Sequence, residues 1–112
     1  MVSIFGYFIK TGYQTKFSKD KWCYKSDLEY PYRNEMIKDL LANHKLIGLK
    51  YQDLINLIGT PESNYTNNDH EIYYEIEIKF GINIDPISSK TLGFKLSKDS
   101  LITNYKLYIY KK

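Results

Sequence analysis

A chain of 112 residues, 43% of them hydrophobic, can enclose one two-layer core but not two. Twelve tyrosines carry the aromatic share to 16%, which excludes the aromatic-poor, highly charged composition of disordered chains. The net charge of +3 comes from lysines scattered along the chain and a single arginine, Arg33, which argues against the concentrated, arginine-bearing patch that nucleic-acid binding uses.

Cys23 is the only cysteine, so no disulfide can form within the chain and no cysteine set for zinc exists. No run reaches the roughly 18 apolar residues of a membrane-spanning helix. The start, MVSIFGYFIK, is nonetheless apolar up to Lys10. Two readings stay open: a strand or helix of the domain, or the end of a membrane anchor or signal segment. From Thr11 the chain is polar and aromatic without a clear period, which reads as an extended arm held down by Phe17 and Trp22 and closed by Pro31. Residues 1–30 therefore form an N-terminal segment and arm, and 31–112 the folded domain.

In RNEMIKDLLANH, residues Met36, Ile37, Leu40 and Leu41 fall at the i, i+1, i+4, i+5 spacing of one helical stripe, with Glu35 placed to suit the helix dipole. Tyr51, Leu54, Ile55 and Ile58 repeat the stripe over a second, shorter helix. Gly59 supplies a left-handed C-terminal cap, Pro61 fixes the exit and Gly48 lets the connection between the helices reverse. A helix this short is marginal alone, so it must be held by packing.

Alternation with a period of two then predicts three strands. Ile72, Tyr74, Ile76, Ile78 and Phe80 form the apolar side of the first, Leu92, Phe94 and Leu96 of the second, and Tyr105, Leu107 and Ile109 of the third. SKDS at 97–100 is a tight hairpin turn, and GINIDPISSK a longer loop turning at Asp85 and Pro86. The expected fold is α+β: a helical hairpin, residues 32–44 and 50–58, packed on one face of a three- to four-stranded antiparallel sheet.

The order of these elements, with LIGLKYQDLINLIGTPES and its Leu46, Gly48, Leu57, Ile58, Gly59 and Pro61, resembles the SmpA/OmlA (BamE-like) outer-membrane lipoproteins and the β-lactamase-inhibitor-protein-like domains that share their fold. The resemblance covers roughly residues 31–110. It implies a small bacterial protein-binding domain that engages its partner through a sheet face. Two departures stand out. Lys50 and Tyr51 occupy the place of the usual Ser or Thr helix cap. KDKW before Cys23 lacks the small and apolar residues of a lipoprotein cleavage site.

Candidates for chemistry are few. His44 and Asp39 are five apart and do not share a helix face, and His70 precedes the first strand. Cys23 reads as a partly buried small hydrophobe. Glu75 and Glu77 could be paired carboxylates, but more often such residues are the solvated side of a sheet, here facing Lys95 and Lys106 across strands. No catalytic residue, metal or cofactor is expected.

What stands out is the sheet side facing away from the helices, where Tyr73, Tyr108 and Tyr110 are rimmed by Glu75, Glu77, Lys95 and Lys106. Tyrosine is enriched at interface hot spots because it buries area at low entropic cost. The expected function is a non-enzymatic protein-binding module of the cell envelope or periplasm, in an assembly or inhibitory role, with membrane anchoring through an N-terminal segment. The alternative is a sheet-face binder of an anionic polymer such as single-stranded nucleic acid, with its tyrosines stacking on bases. Cytoplasmic location is the alternative if Met1 begins the native chain.

Overall fold

The computed structural model describes residues 14–27, 29–62, 70–80 and 86–111. In chain order they form helices α1 (Lys19–Cys23), α2 (Arg33–Asn43) and α3 (Tyr51–Ile58), then strands β1 (Glu71–Phe80), β2 (Pro86–Leu96) and β3 (Ile102–Lys111). The strands pair antiparallel in the order β1-β2-β3, and the helices pack against one face of the sheet, an α+β architecture. The readings placed on Met1–Lys10 and on Asp85 lie outside the described residues.

Both predicted helices are present, and the arm before them is not wholly extended. Trp22 N–H donates to Ser18 O at 2.8 Å, closing the one-turn helix α1 that carries the Trp22 ring into the core. Lys50 offers α3 no side-chain cap. Its role falls to the hairpin turn: Tyr51 N–H donates to Ser100 O at 2.8 Å, while Gly48 N–H reaches Ile102 O at 2.7 Å and Ile102 N–H reaches Leu49 O at 2.8 Å. The connection between the helices is thus laid along the start of β3 like a short extra strand. Gly48 and Gly59 both hold positive φ (+97° and +90°). Gly59, with ψ near 180°, takes a conformation open to glycine rather than that of a left-handed helical cap.

The core between helices and sheet contains Trp22, Met36, Leu40, Leu54, Ile58, Ile72, Tyr74, Ile76, Leu92, Phe94 and Ile102. Burying each such side chain is worth about 1.5–3 kcal/mol, enough in sum to hold helices that would not persist alone. An aromatic row crosses the core: Phe17, Trp22, Tyr74, Phe94 and Tyr105 follow one another at centroid distances of 5.8, 6.4, 5.8 and 6.1 Å. Their tilted and edge-on geometries are those favoured by the ring quadrupoles.

Two strand readings need correction. β2 begins at Pro86, not near Leu92, so residues expected in a loop are paired, with Ser88 opposite Lys79 and Ser89 opposite Ile78. Proline at the first position of a strand forfeits no needed ladder bond. In β1 the pairing passes from Glu75 opposite Thr91 to Glu77 opposite Lys90, leaving Ile76 as the extra residue of a bulge. One extra residue reverses which side every later residue occupies. Glu77 therefore lies on the helix side with Lys90, whose Nζ donates to Asn34 Oδ1 of α2 at 2.7 Å, and Ile78 turns to the outer face.

Candidate functional site

Beyond the helices, the outer face of the sheet is built from alternate residues of the three strands. Cross-strand rows place Glu71 with Lys95 and Asn104, Tyr73 with Gly93 and Lys106, Glu75 with Thr91 and Tyr108, and Ser89 with Tyr110. Tyr73, Glu75, Lys95, Lys106, Tyr108 and Tyr110, singled out from sequence, thus share one face. The carboxylate partners expected for the lysines differ. Lys95 stands opposite Glu71, Lys106 stands opposite Gly93, and Lys106 Nζ lies 5.2 Å from the centre of the Tyr108 ring.

The centre of this face is a three-strand cluster. Glu71 is almost fully buried (4% exposed) and accepts Tyr73 Oη–H on Oε1 at 2.7 Å and Tyr108 Oη–H on Oε2 at 2.9 Å. The two rings meet edge to face at 6.3 Å. Gly93, on the strand between them, makes the room: a Cβ there would lie 2.9 Å from Glu71 Oε2, 2.9 Å from Tyr108 Cε2 and 3.2 Å from Tyr73 Cε1. Sequence reasoning missed Glu71 and Gly93. A glycine inside a strand is itself a signal of close approach, and Glu71 continues the Tyr73, Glu75 alternation by one step.

Beside the cluster, toward the far end of β1, lies a shallow hollow of about 300 Å³ lined by Glu62, Tyr73, Glu75, Ile78, Ser89 and Thr91. Burial, and after it the nearby Glu62 charge, raise the Glu75 carboxyl above its ordinary pKa. Ile78 and Tyr110 (54% exposed) make this end of the face apolar, and Ile87, the extra residue where the pairing shifts from Ser88 to Pro86, is 45% exposed. The two isoleucines were hidden from sequence reasoning by the bulge and by the unexpected length of β2.

The remaining candidates are dispersed. His44 leaves α2 in an extended conformation and swings back until Nε2 is 3.8 Å from Asp39 Oδ2, closer than their spacing suggested and beyond hydrogen-bond distance. Asp39 instead accepts Phe17 N–H at 2.7 Å and Asn43 Nδ2–H at 2.6 Å. Cys23 is exposed rather than partly buried, its Sγ 3.7 Å from Ile58 O. Among the described residues no three His, Cys, Asp or Glu side chains are placed to hold a metal ion, and no helix is long and apolar enough to cross a membrane.

Comparison of the chain with known protein families, with characterised proteins and with solved structures returns no match. The likeness to the SmpA/OmlA group therefore rests on the quoted residues and the order of elements.

Proposed function

We propose that this chain is a non-enzymatic protein-binding module that docks a partner on the outer face of its sheet. The observation that carries the reading is the Glu71 cluster: one buried carboxylate holds the phenols of Tyr73 and Tyr108 across three strands, so two large aromatic side chains are oriented before any partner arrives. Pre-ordering lowers the entropy lost on binding. Around them Tyr110 and Ile78 supply apolar area, and Glu75, Lys95 and Lys106 a mixed-charge rim, the anatomy of a protein interface. The resemblance to the BamE-like and inhibitor-protein-like domains agrees with this reading and carries the further proposal of a bacterial cell-envelope location, in an assembly or inhibitory role.

The polymer-binding alternative fits less well. Tyr73 and Tyr108 stand edge to face and bound to a carboxylate, whereas base stacking needs open ring faces, and the carboxylates of this face oppose a phosphate backbone. The test is capture of partners from envelope extract at two salt concentrations by the wild type and by Tyr73→Ala and Tyr110→Ala. A specific protein retained at both salts by the wild type and lost by the variants supports the proposal. Capture that collapses with salt, or that ignores both substitutions, sinks it.

A further inference from the structure

The two edges of the sheet are treated differently by the fold. On β1, the outward N–H and C=O of Glu75 are already taken: Glu62 Oε1 accepts the N–H at 2.8 Å, and Arg33 Nη1 donates to the C=O at 2.8 Å. An incoming strand would have to displace a buried ion pair. On β3, among the described residues, the backbone bonds from outside the sheet reach the first residue, Ile102, held by Gly48 and Leu49.

Register shows which groups β3 leaves open. Leu96 N–H donates to His70 O, so the even-numbered residues of β2 point their backbone groups at β1 and the odd ones at β3. Gly93, Thr91 and Ser89 therefore bond Lys106, Tyr108 and Tyr110. Tyr105, Leu107 and Ile109 are left aiming their N–H and C=O away from the sheet, and Tyr105 N–H is satisfied locally by Asn104 Oδ1 at 2.9 Å. Among the described residues no strand pairs with this part of β3.

The side chains along the edge state what would fit. Lys106, Tyr108 and Tyr110 border it on the outer face, Leu107, Ile109 and Lys111 on the helix side, and Ile109 is 60% exposed. Edge lysines discourage pairing with a second copy, whose lysines would be brought alongside, and favour a strand of opposite charge. An edge meant only to repel would not also display Ile109.

We propose that the Tyr105–Lys111 edge of β3 receives an extended segment of a partner protein in which acidic and apolar residues alternate, adding a fourth strand with its carboxylates on the outer face beside Lys106 and its apolar side chains on the helix side beside Leu107 and Ile109. This deepens the docking reading above by naming how the partner is held at one border of the face: backbone bonds give affinity, and the alternating side chains give register.

The test uses the full chain and a fluorescein-labelled octapeptide of alternating Glu and Val. Titration should raise anisotropy and slow hydrogen exchange at the amides of Leu107 and Ile109 at least tenfold. An alternating Lys and Val peptide, or the Glu and Val peptide methylated on the amides that would face β3, should bind at least tenfold more weakly. Ile109→Pro should weaken binding similarly, since it removes an outward N–H and no bond to β2. Partner capture by the wild type, measured beside peptide binding, separates the two readings: capture that is lost on Tyr73→Ala with no binding of the Glu and Val peptide to the wild type would overturn this inference and leave the face reading standing. Equal binding of the methylated peptide, protection elsewhere in the sheet, or Leu107 and Ile109 amides already protected in the free chain by its other residues or a second copy would each overturn it.

Discussion

Arg33 and Glu62 form a two-pronged ion pair, Nη1 to Oε1 at 2.6 Å and Nη2 to Oε2 at 3.1 Å, and together they close the free edge of β1 at Glu75. The guanidinium is almost wholly buried; Nε donates to Trp22 O at 2.7 Å and the Tyr30 ring lies 3.6 Å away. Removing one partner of a buried pair strands the other, so Arg33→Ala and Glu62→Ala should each destabilise by about 3 kcal/mol. Because the two act through one network, the double variant should lose at least about 1 kcal/mol less than the sum. Urea unfolding followed by Trp22 fluorescence measures all three, and simple additivity would show that the pair is not coupled.

Gly93→Ala puts a methyl group where Glu71, Tyr73 and Tyr108 meet. The atoms in its way are ends of side chains, so the strand should survive at a loss of about 1–2 kcal/mol while the cluster is pushed apart. The readout is the near-ultraviolet circular dichroism of the tyrosines together with partner capture. Retention of both would mean that the cluster does not organise the face.

Much of this arrangement was legible beforehand, because alternation in EIYYEI and the stripes of α2 and α3 each demand one buried side. What was not legible has a common cause: it depends on residues distant in sequence. Nothing in β1 announces that Ile76 will be the extra residue of a bulge, which sends Glu77 to one side and Ile78 to the other. Lys50 looks like a poor helix cap until Ser100 is brought next to Tyr51. The only arginine drew attention as a sign of scarce positive patches, and its role as a buried staple needed Glu62, Trp22 and Glu75 in one place.

Two carboxyls should leave opposite marks on stability against pH. Phe17 N–H first, then Asn43, hold Asp39 below its ordinary pKa, so its contribution is complete above the unfolded value and is lost as pH falls through the folded one. Burial first, then Glu62, raise Glu75, so folding is favoured with Glu75 protonated and that advantage is lost as pH rises through the folded value. Asp39→Asn should flatten the acid loss of stability. Glu75→Gln should raise the thermal midpoint at pH 7, with the gain shrinking as pH falls toward the unfolded Glu value of about 4.3. A gain for Glu75→Gln that grows on acidification would contradict the assignment.

Gly48 and Gly59 frame α3 with similar positive φ, yet substitution should tax them unequally. A Cβ at Gly48 would meet nothing within 4 Å, so Gly48→Ala bears only backbone strain, about 1 kcal/mol. At Gly59 the conformation, φ +90° with ψ 179°, is one that glycine alone adopts readily, and a Cβ would lie 2.8 Å from Cys23 Sγ. The residue is also pinned on both sides: its N–H donates to Ile55 O at 2.8 Å and its C=O accepts Tyr74 Oη–H at 2.7 Å, so it cannot relax without releasing a buried phenol. Gly59→Ala should therefore destabilise by about 2–4 kcal/mol, the strain and the contact acting together. Adding Cys23→Ala should return only the part due to the contact and leave the strain in place. Thermal midpoints of these three variants and of Cys23→Ala alone, in one buffer, decide it: full recovery by Cys23→Ala would mean that the glycine is required for space alone, and equal losses at Gly48 and Gly59 would mean that the Cys23 contact does not matter.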